Sequence, residues 1–251
     1  MPETKTYPLA WDQAGERFYE TGVQKVVLYV YDSVTKEYKD GVAWNGVTAI
    51  SESPSGAEAT ALYANDSKYL NLISNEEYAA SIEAYTYPDE FAECDGSAEL
   101  TTGVTIGQQP RKTFGLCYRT TLGNDVEGTE KGYKLHIVYN CLAAPSEKSY
   151  ASINDSPEAI TFSWDISTTP VEVAGHKPTA VVTIDSTKVD KAKLSKLEEI
   201  LYGKENTPAK LPLPSKIVTT LTAACVPKSV SSKQHFAQFS ISCIIMTEAE
   251  S

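Results

Sequence analysis

Residues Lys112 to Leu142 read "KTFGLCYRTTLGNDVEGTEKGYKLHIVYNCL", two alternating runs on either side of a polar, glycine-bearing segment. Phe114, Leu116 and Tyr118 fall on one side of the first run, and Tyr133, Leu135, Ile137 and Tyr139 on one side of the second. A period of two with β-branched and aromatic residues marks a strand. The stretch therefore predicts a long hairpin with "GNDVEGTEKG" at its tip.

The same period recurs on both sides. "KVVLYVYD" (Lys25–Asp32) reads as a strand, and "VAWNGVTAI" (Val42–Ile50) holds Asn45-Gly46, the signal of a tight hairpin or bend. In "YAASIEAYTYP" (Tyr78–Pro88), Ala80, Ile82 and Ala84 share one face, while Ser81, Glu83 and Tyr85 share the other. The small side is expected to be buried. "AITFSWDIST" (Ala159–Thr168) sets Ile160, Phe162, Trp164 and Ile166 against Thr161, Ser163 and Asp165, a strand with one apolar and one polar face.

One long helix is predicted. "STKVDKAKLSKLEEILYG" (Ser186–Gly203) carries Thr187 and Asp190 at capping-box spacing, runs Leu194, Leu197, Ile200 and Leu201 along one face, and stops at Gly203. Leu194, Leu197 and Leu201 are expected to dock the helix on a sheet. Ser74 and Glu77 form a weaker capping box and predict a single turn, and "NTPAKLPLP" (Asn206–Pro214) reads as an extended connector. The fold class expected is mainly β, a sandwich or barrel with one flanking α-helix.

The chain has 251 residues and a formal net charge of -11. Residues 1–170 hold 25 acidic residues against 12 Lys and Arg, whereas the remainder holds 8 against 10. Such a chain lacks the cationic surface through which proteins displace phosphate counterions, so DNA binding is not expected. No charged segment followed by an apolar run opens the sequence, and no apolar stretch approaches the ~20 residues that cross a bilayer, so neither a secretory signal nor a membrane segment is expected. The five cysteines, Cys94, Cys117, Cys141, Cys225 and Cys243, contain no C-x-x-C pair and read as free thiols in a reducing compartment.

The acidic block "AYTYPDEFAECDG" (Ala84–Gly96) invites a metal or catalytic reading. Between Lys68 and Arg111 lie eight acids and no Lys, Arg or His. "DEFAECDG" does not reproduce the D-x-D-x-D-G calcium loop, and His136, His176 and His235 are not at ligand spacing. Ser163 or Cys117 with His136 would make a nucleophile and base, but no nucleophile elbow surrounds either residue. No catalytic residue, metal or cofactor is assigned, and the block reads as a solvated acidic surface.

The segments "WNGVTAISESPSGAEATALYAND" (Trp44–Asp66), "EAYTYPDEFAECDGS" (Glu83–Ser97), "TIGQQPRKTFGLCYRT" (Thr105–Thr120) and "EAITFSWDISTTPVEVAGHKPTA" (Glu158–Ala180) carry a resemblance. From about Trp11 to about Leu213 the chain resembles the major tail protein, or tail tube protein, of long-tailed phages and prophages of Gram-positive bacteria. The resemblance implies a tail-tube-like β-sandwich that assembles as hexameric rings, stacked into the tube through which the genome passes. It implies a virion protein made in the bacterial cytoplasm. Its partners would be further copies of itself, a tape-measure protein, and tail-terminator or baseplate proteins, with DNA passing without specific binding. Residues 1–222 would form the tube domain. Residues 223–251 match nothing in that family and would be an extension, an extra strand or an arm.

A conduit for DNA needs an inner wall that does not hold phosphates. Carboxylates closer than a Debye length of about 8 Å keep such a wall repulsive. Thr161, Ser163, Asp165 and Glu83 are the candidate lumen lining. The hairpin tip, with Asn124, Asp125, Glu127, Glu130 and Lys131, is with the N-terminal arm the candidate for contacts between rings. The acidic block would line the lumen or coat the outside. Other readings stay open. The fifteen tyrosines suit a carbohydrate-binding or adhesin β-sandwich. A phage hydrolase would need a catalytic pair that the sequence does not display, and the tube of a contractile tail or tail-like bacteriocin is a nearer variant.

Overall fold

The computed structural model describes residues 9–153, 155 and 158–222. The predicted C-terminal extension, together with Cys225, His235 and Cys243, lies outside the described residues.

Strand β1 (Phe18–Asp32) is followed by the short β2 (Glu37–Tyr38) and β3 (Val42–Ala43), then β4 (Val47–Glu52). An excursion comes next: β5 (Ser55–Gly56), β6 (Ala59–Ala64), β7 (Ser67–Ile73) and β8 (Glu76–Glu77). The chain returns in β9 (Ala79–Ala84), a 3-10 turn (Asp89–Phe91), the one-turn α1 (Ala92–Asp95) and the small hairpin β10 (Ala98–Thr101) and β11 (Val104–Ile106). The long strands β12 (Phe114–Asn124) and β13 (Gly128–Ala143), then β14 (Phe162–Thr168), β15 (Val181–Asp185), α2 (Lys191–Tyr202) and α3 (Pro214–Thr222) complete it. The protein is mainly β.

The main sheet has the order β2-β1-β12-β13-β14-β9-β4, with β15 paired to β13 and β3 to β1. The predicted long hairpin is present, antiparallel from Phe114↔Cys141 to Asn124↔Gly128. Its turn is shorter than "GNDVEGTEKG" suggested, because the ladder continues down to Gly128. Strand β13 is long enough to carry two partners on one edge: β15 along Lys134–Val138 and β14 along Cys141–Ala143.

Two cores lie on opposite faces of β1, β12 and β13. On one face Leu28, Phe114, Leu116, Tyr118 and Val138 meet Ile82, Ala84, Trp164, Trp44 and Phe91 from the β4–β9–β14 side. The rings of Phe91 and Trp164 sit edge to face at 5.1 Å. On the other face Tyr29, Cys117, Leu135, Ile137 and Tyr139 meet α2 and α3 through Leu194, Leu197, Leu201 and Ile217. The two alternating runs of the hairpin thus serve different cores. In β9 the small side is indeed the buried one, with Ala80, Ile82 and Ala84 inside.

Three local expectations need correction or refinement. The helix begins at Lys191, with Asp190 as its N-cap accepting from the amides of Ala192 and Lys193; Thr187 belongs instead to a turn whose amide and hydroxyl both donate to Asp185 Oδ1. Asp190 alone satisfies two free amides, so no box is needed. The helix does end at Gly203, whose φ of 76° suits glycine. The turn predicted at Ser74–Glu77 is absent: Glu76 and Glu77 form β8, paired with β5. Asn45-Gly46 makes a bend and not a hairpin, because β3 pairs with β1 while β4 pairs with β9.

The connector expected over Asn206–Pro214 has no regular structure from 208 to 213, but its last residue, Pro214, already belongs to a helix, α3. Pro214 opens α3, where its missing amide is one of those left free anyway.

Candidate functional site

Three surfaces leave polar or apolar groups with no use inside the subunit. The first is the outer face of β14, β9 and β4. Ser163 pairs with Glu83 and Asp165 with Ser81, and Ser81 pairs in turn with Ser51 of β4. The intervening Trp164 and Ile82 point into the core, so strand alternation places the polar set on the opposite side. Ser163, Asp165 and Glu83 are therefore brought together on one outward face. Thr161 lies exposed just before β14. These three strands contain no Lys, Arg or His, so the face carries only negative charge.

The hairpin tip is the second. Asp125 accepts the amide of Gly15 at 3.0 Å, and its carboxylate lies 3.8 Å from Arg17. Asn124 donates to the Gly15 carbonyl and accepts the amides of Val126 and Glu127. Glu127 pairs with Lys131 at 2.7 Å. Tip and N-terminal arm are thus joined, but Asn124 is only 4 % exposed and holds the turn from within. Val126 in the tip and Phe18, the ladder partner of Asn124, remain exposed, as does Trp11 of the N-terminal arm.

The third was missed in the sequence. Strands β6 and β7 pair from Ala59↔Ile73 to Ala64↔Ser67 and project as an arm from the end of β4. Leu72 and Ile73 are neighbours in one strand and so face opposite ways, yet they are 61 % and 63 % exposed. Tyr63 and Tyr69 are exposed by more than that, at 73 % and 72 %. Apolar side chains on both faces of a hairpin were the available signal, and strand-like residues flanking Asn65-Asp66 would have found it. Those two residues make the turn, both with positive φ near 50–57°.

The acidic block is not uniformly solvated, which corrects the sequence reading. Asp95 is 8 % exposed and binds Lys148 at 2.6 Å and the indole of Trp164 at 3.0 Å, with Arg111 at 3.8 Å. Glu93 binds Lys112 at 2.6 Å and Lys39 at 3.5 Å, and the Lys112 hydrogen bond leads in holding its carboxyl below the usual range. The bases missing from the local sequence arrive from the segment before β12 (Arg111, Lys112), from the loop after β13 (Lys148) and from between β2 and β3 (Lys39). Asp89 and Glu90 remain exposed.

The residues considered for nucleophilic chemistry are not brought together. Cys117 points into the helix-side core, where burial pushes its thiol up to about 12. His136 pairs across the ladder with Tyr118 and stacks on that ring at 4.7 Å, on the other side of the sheet. Ser163 lies on the outer face of β14. The three thiols in the described residues, Cys94, Cys117 and Cys141, are free and buried. No group of three potential ligands that could hold a metal occurs among the described residues, and no described helix is long and apolar enough to cross a membrane.

No protein-family model and no curated protein matches the chain. Among solved structures it is similar to the sheath/tube terminator of an extracellular contractile injection system, PVC, in the extended state, at 11 % identity and a TM-score of 0.30 over 70 % of this chain and 99 % of that one. A chain of the anti-feeding prophage baseplate aligns at 8 % identity and a TM-score of 0.34 over 72 % and 100 %. One from the PVC sheath-tube complex aligns at 12 % and 0.29 over 70 % and 93 %. At such scores these likenesses carry no argument about what this chain does.

Proposed function

We propose that this chain is a structural subunit that polymerises with copies of itself, as stacked hexameric rings, into the tube of a phage tail. One observation carries the polymer: the β6–β7 arm exposes apolar side chains on both faces. An isolated two-stranded hairpin is marginal in water, and patches of this kind on a soluble chain mark association sites. The ring geometry and the tail rest on the sequence resemblance of Trp44–Asp66, Glu83–Ser97, Thr105–Thr120 and Glu158–Ala180.

The outer face of β14, β9 and β4 suits the inner wall of such a tube. A closed barrel of about 16 to 18 strands already encloses a water channel, and six subunits contribute more than that. A wall of hydroxyls with Asp165 and Glu83, and without a cation, gives DNA phosphates nothing to bind.

Sedimentation of purified protein over a range of concentrations, followed by negative-stain microscopy, tests the reading. Rings or tubes of six-fold symmetry are expected. A chain that stays monomeric from micromolar to millimolar concentration overturns it.

A further inference from the structure

Beside α2 lies a cleft of about 810 Å³, between the helix and the stem of the β12–β13 hairpin. Arg119, Lys131 and Lys191 bring cations to it, Glu130 and Glu198 bring carboxylates, and Leu194 lies at its base. Arg119 stacks on the Tyr133 ring at 4.6 Å and donates to Gln24 Oε1 at 2.9 Å. Its Nε nevertheless has no hydrogen-bond partner among the described residues, and neither has Glu198 Oε1, although both atoms are buried. Leaving a buried donor and a buried acceptor unmade is unfavourable, so a cleft whose wall holds one of each favours an occupant that supplies both.

The arm supplies both. Its exposed turn presents the Asn65 amide, a donor, next to the Asp66 carboxylate, an acceptor. The segment Ser55–Glu77 is acidic, with Glu58, Asp66, Glu76 and Glu77 against Lys68 alone, whereas the cleft sets three cations against two carboxylates. The exposed apolar strands behind the turn need cover that the arm's own subunit does not give. We propose that the Asn65–Asp66 turn of one subunit docks in the cleft beside α2 of a second copy, with Asp66 facing Arg119 and Lys191 and Asn65 facing Glu198. This rests on the polymer reading above and adds the surfaces that meet. Because arm and cleft are different surfaces, the contact is head to tail; such contacts close into rings or run on as filaments, and do not stop at a two-fold dimer.

Two variants test the contact. Leu62→Ser/Asp66→Asn/Leu72→Ser disables the arm and leaves the cleft whole. Lys131→Glu/Lys191→Glu disables the cleft and leaves the arm whole. All five positions lie outside the two cores, so both variants are expected to melt within a few degrees of wild type, which confirms that they fold. In sedimentation velocity each variant alone should be monomeric at a concentration where wild type is fully assembled. Their equimolar mixture retains one intact arm facing one intact cleft, and should form a heterodimer and nothing larger. If wild type assembles and either variant on its own assembles as well, or the mixture stays monomeric, the docking is wrong while the polymer reading stands. A wild type that never associates removes both.

Discussion

Trp164 donates its indole N–H to Asp95 Oδ1 at 3.0 Å, while Lys148 holds the other oxygen, Oδ2, at 2.6 Å. The carboxylate thus joins the one-turn helix α1 to the centre of β14 and to the loop after β13. The Lys148 ammonium also lies 5.6 Å from the Tyr87 ring centroid and 6.0 Å from that of Phe162, so its charge is compensated on several sides. Arg111, which approaches the same carboxylate, donates to the Ala143 carbonyl at 3.1 Å.

Removing Asp95 leaves two cations and an indole donor facing one another without an acceptor. Breaking a buried pair from one side costs about 3–5 kcal/mol. Asp95→Ala should lower the unfolding free energy from urea titration by that order and so bring the midpoint down, and Asp95→Asn, which keeps an acceptor for Trp164, by less. Equal midpoints for Asp95→Ala and wild type would show that the cluster contributes nothing.

The helix stripe gives a second expectation. Leu197 is fully buried between Leu194 and Leu201, and truncating a core leucine costs about 2–5 kcal/mol out of a typical domain margin of about 5–15 kcal/mol. Leu197→Ala should lower the melting temperature of the unassembled subunit and the yield of assembled protein together. Lys196→Ala, at an exposed position of the same helix, should change folding by less than about 0.5 kcal/mol. A Leu197→Ala protein that melts as wild type does but fails to assemble would move the stripe from core to interface.

His136 predicts how stability responds to acid. Its ring lies among Glu20 from β1, Glu52 from β4, Tyr118 and Thr120 from β12, Lys134 from β13 and Thr183 from β15. Burial leads in lowering its pKa below 6.5, and outweighs the opposing pull of Glu52 and Glu20. The fold therefore prefers the neutral ring. That preference is fully present above about 6.5 and is lost as the pH falls through the lower folded value. The carboxyls of Glu20 and Glu93, both net below their ordinary range, add losses only at more acid pH. Melting temperature should decline between pH 7 and 5 in wild type and stay nearly level over that interval in His136→Gln. Parallel curves for the two proteins would mean that another group titrates there.

Strand periodicity made much of this legible. Ala80, Ile82 and Ala84 in β9, Trp164 and Ile166 in β14, and the hairpin ladder all follow from a period of two, and the leucines of α2 from a period near 3.6. Distant pairings were not legible in the same way. Asp95 looked solvated because Lys148 is 53 residues away in the chain, and its burial depends on where Trp164 lands. Helix α3 was hidden by the prolines before it, although Ile217 and Leu221 are spaced to share one face and both join the helix-side core. Periodicity also says which face of a strand is apolar, not whether anything covers it, so only the fold shows that the hairpin arm at Leu62–Ile73 stands uncovered.

The outer face of β14 and β9 offers a test of the conduit itself. Glu83 and Asp165 are exposed and on adjacent strands, so Glu83→Lys/Asp165→Lys removes no core contact and should melt within a few degrees of wild type. In a six-subunit ring it would exchange twelve inward negative charges for twelve positive ones. A protein making about 6 to 10 phosphate contacts loses about 10³–10⁵ in DNA affinity between 50 and 200 mM salt. Tubes of the double variant should therefore retain DNA at low salt and release it steeply over that range, while wild-type tubes retain none at either. Filter retention of labelled DNA on preassembled tubes separates the cases. If the variant tubes bind no more DNA than wild type, this face does not line the channel. If they bind it only when the DNA is added outside closed tubes, the face lies on the exterior.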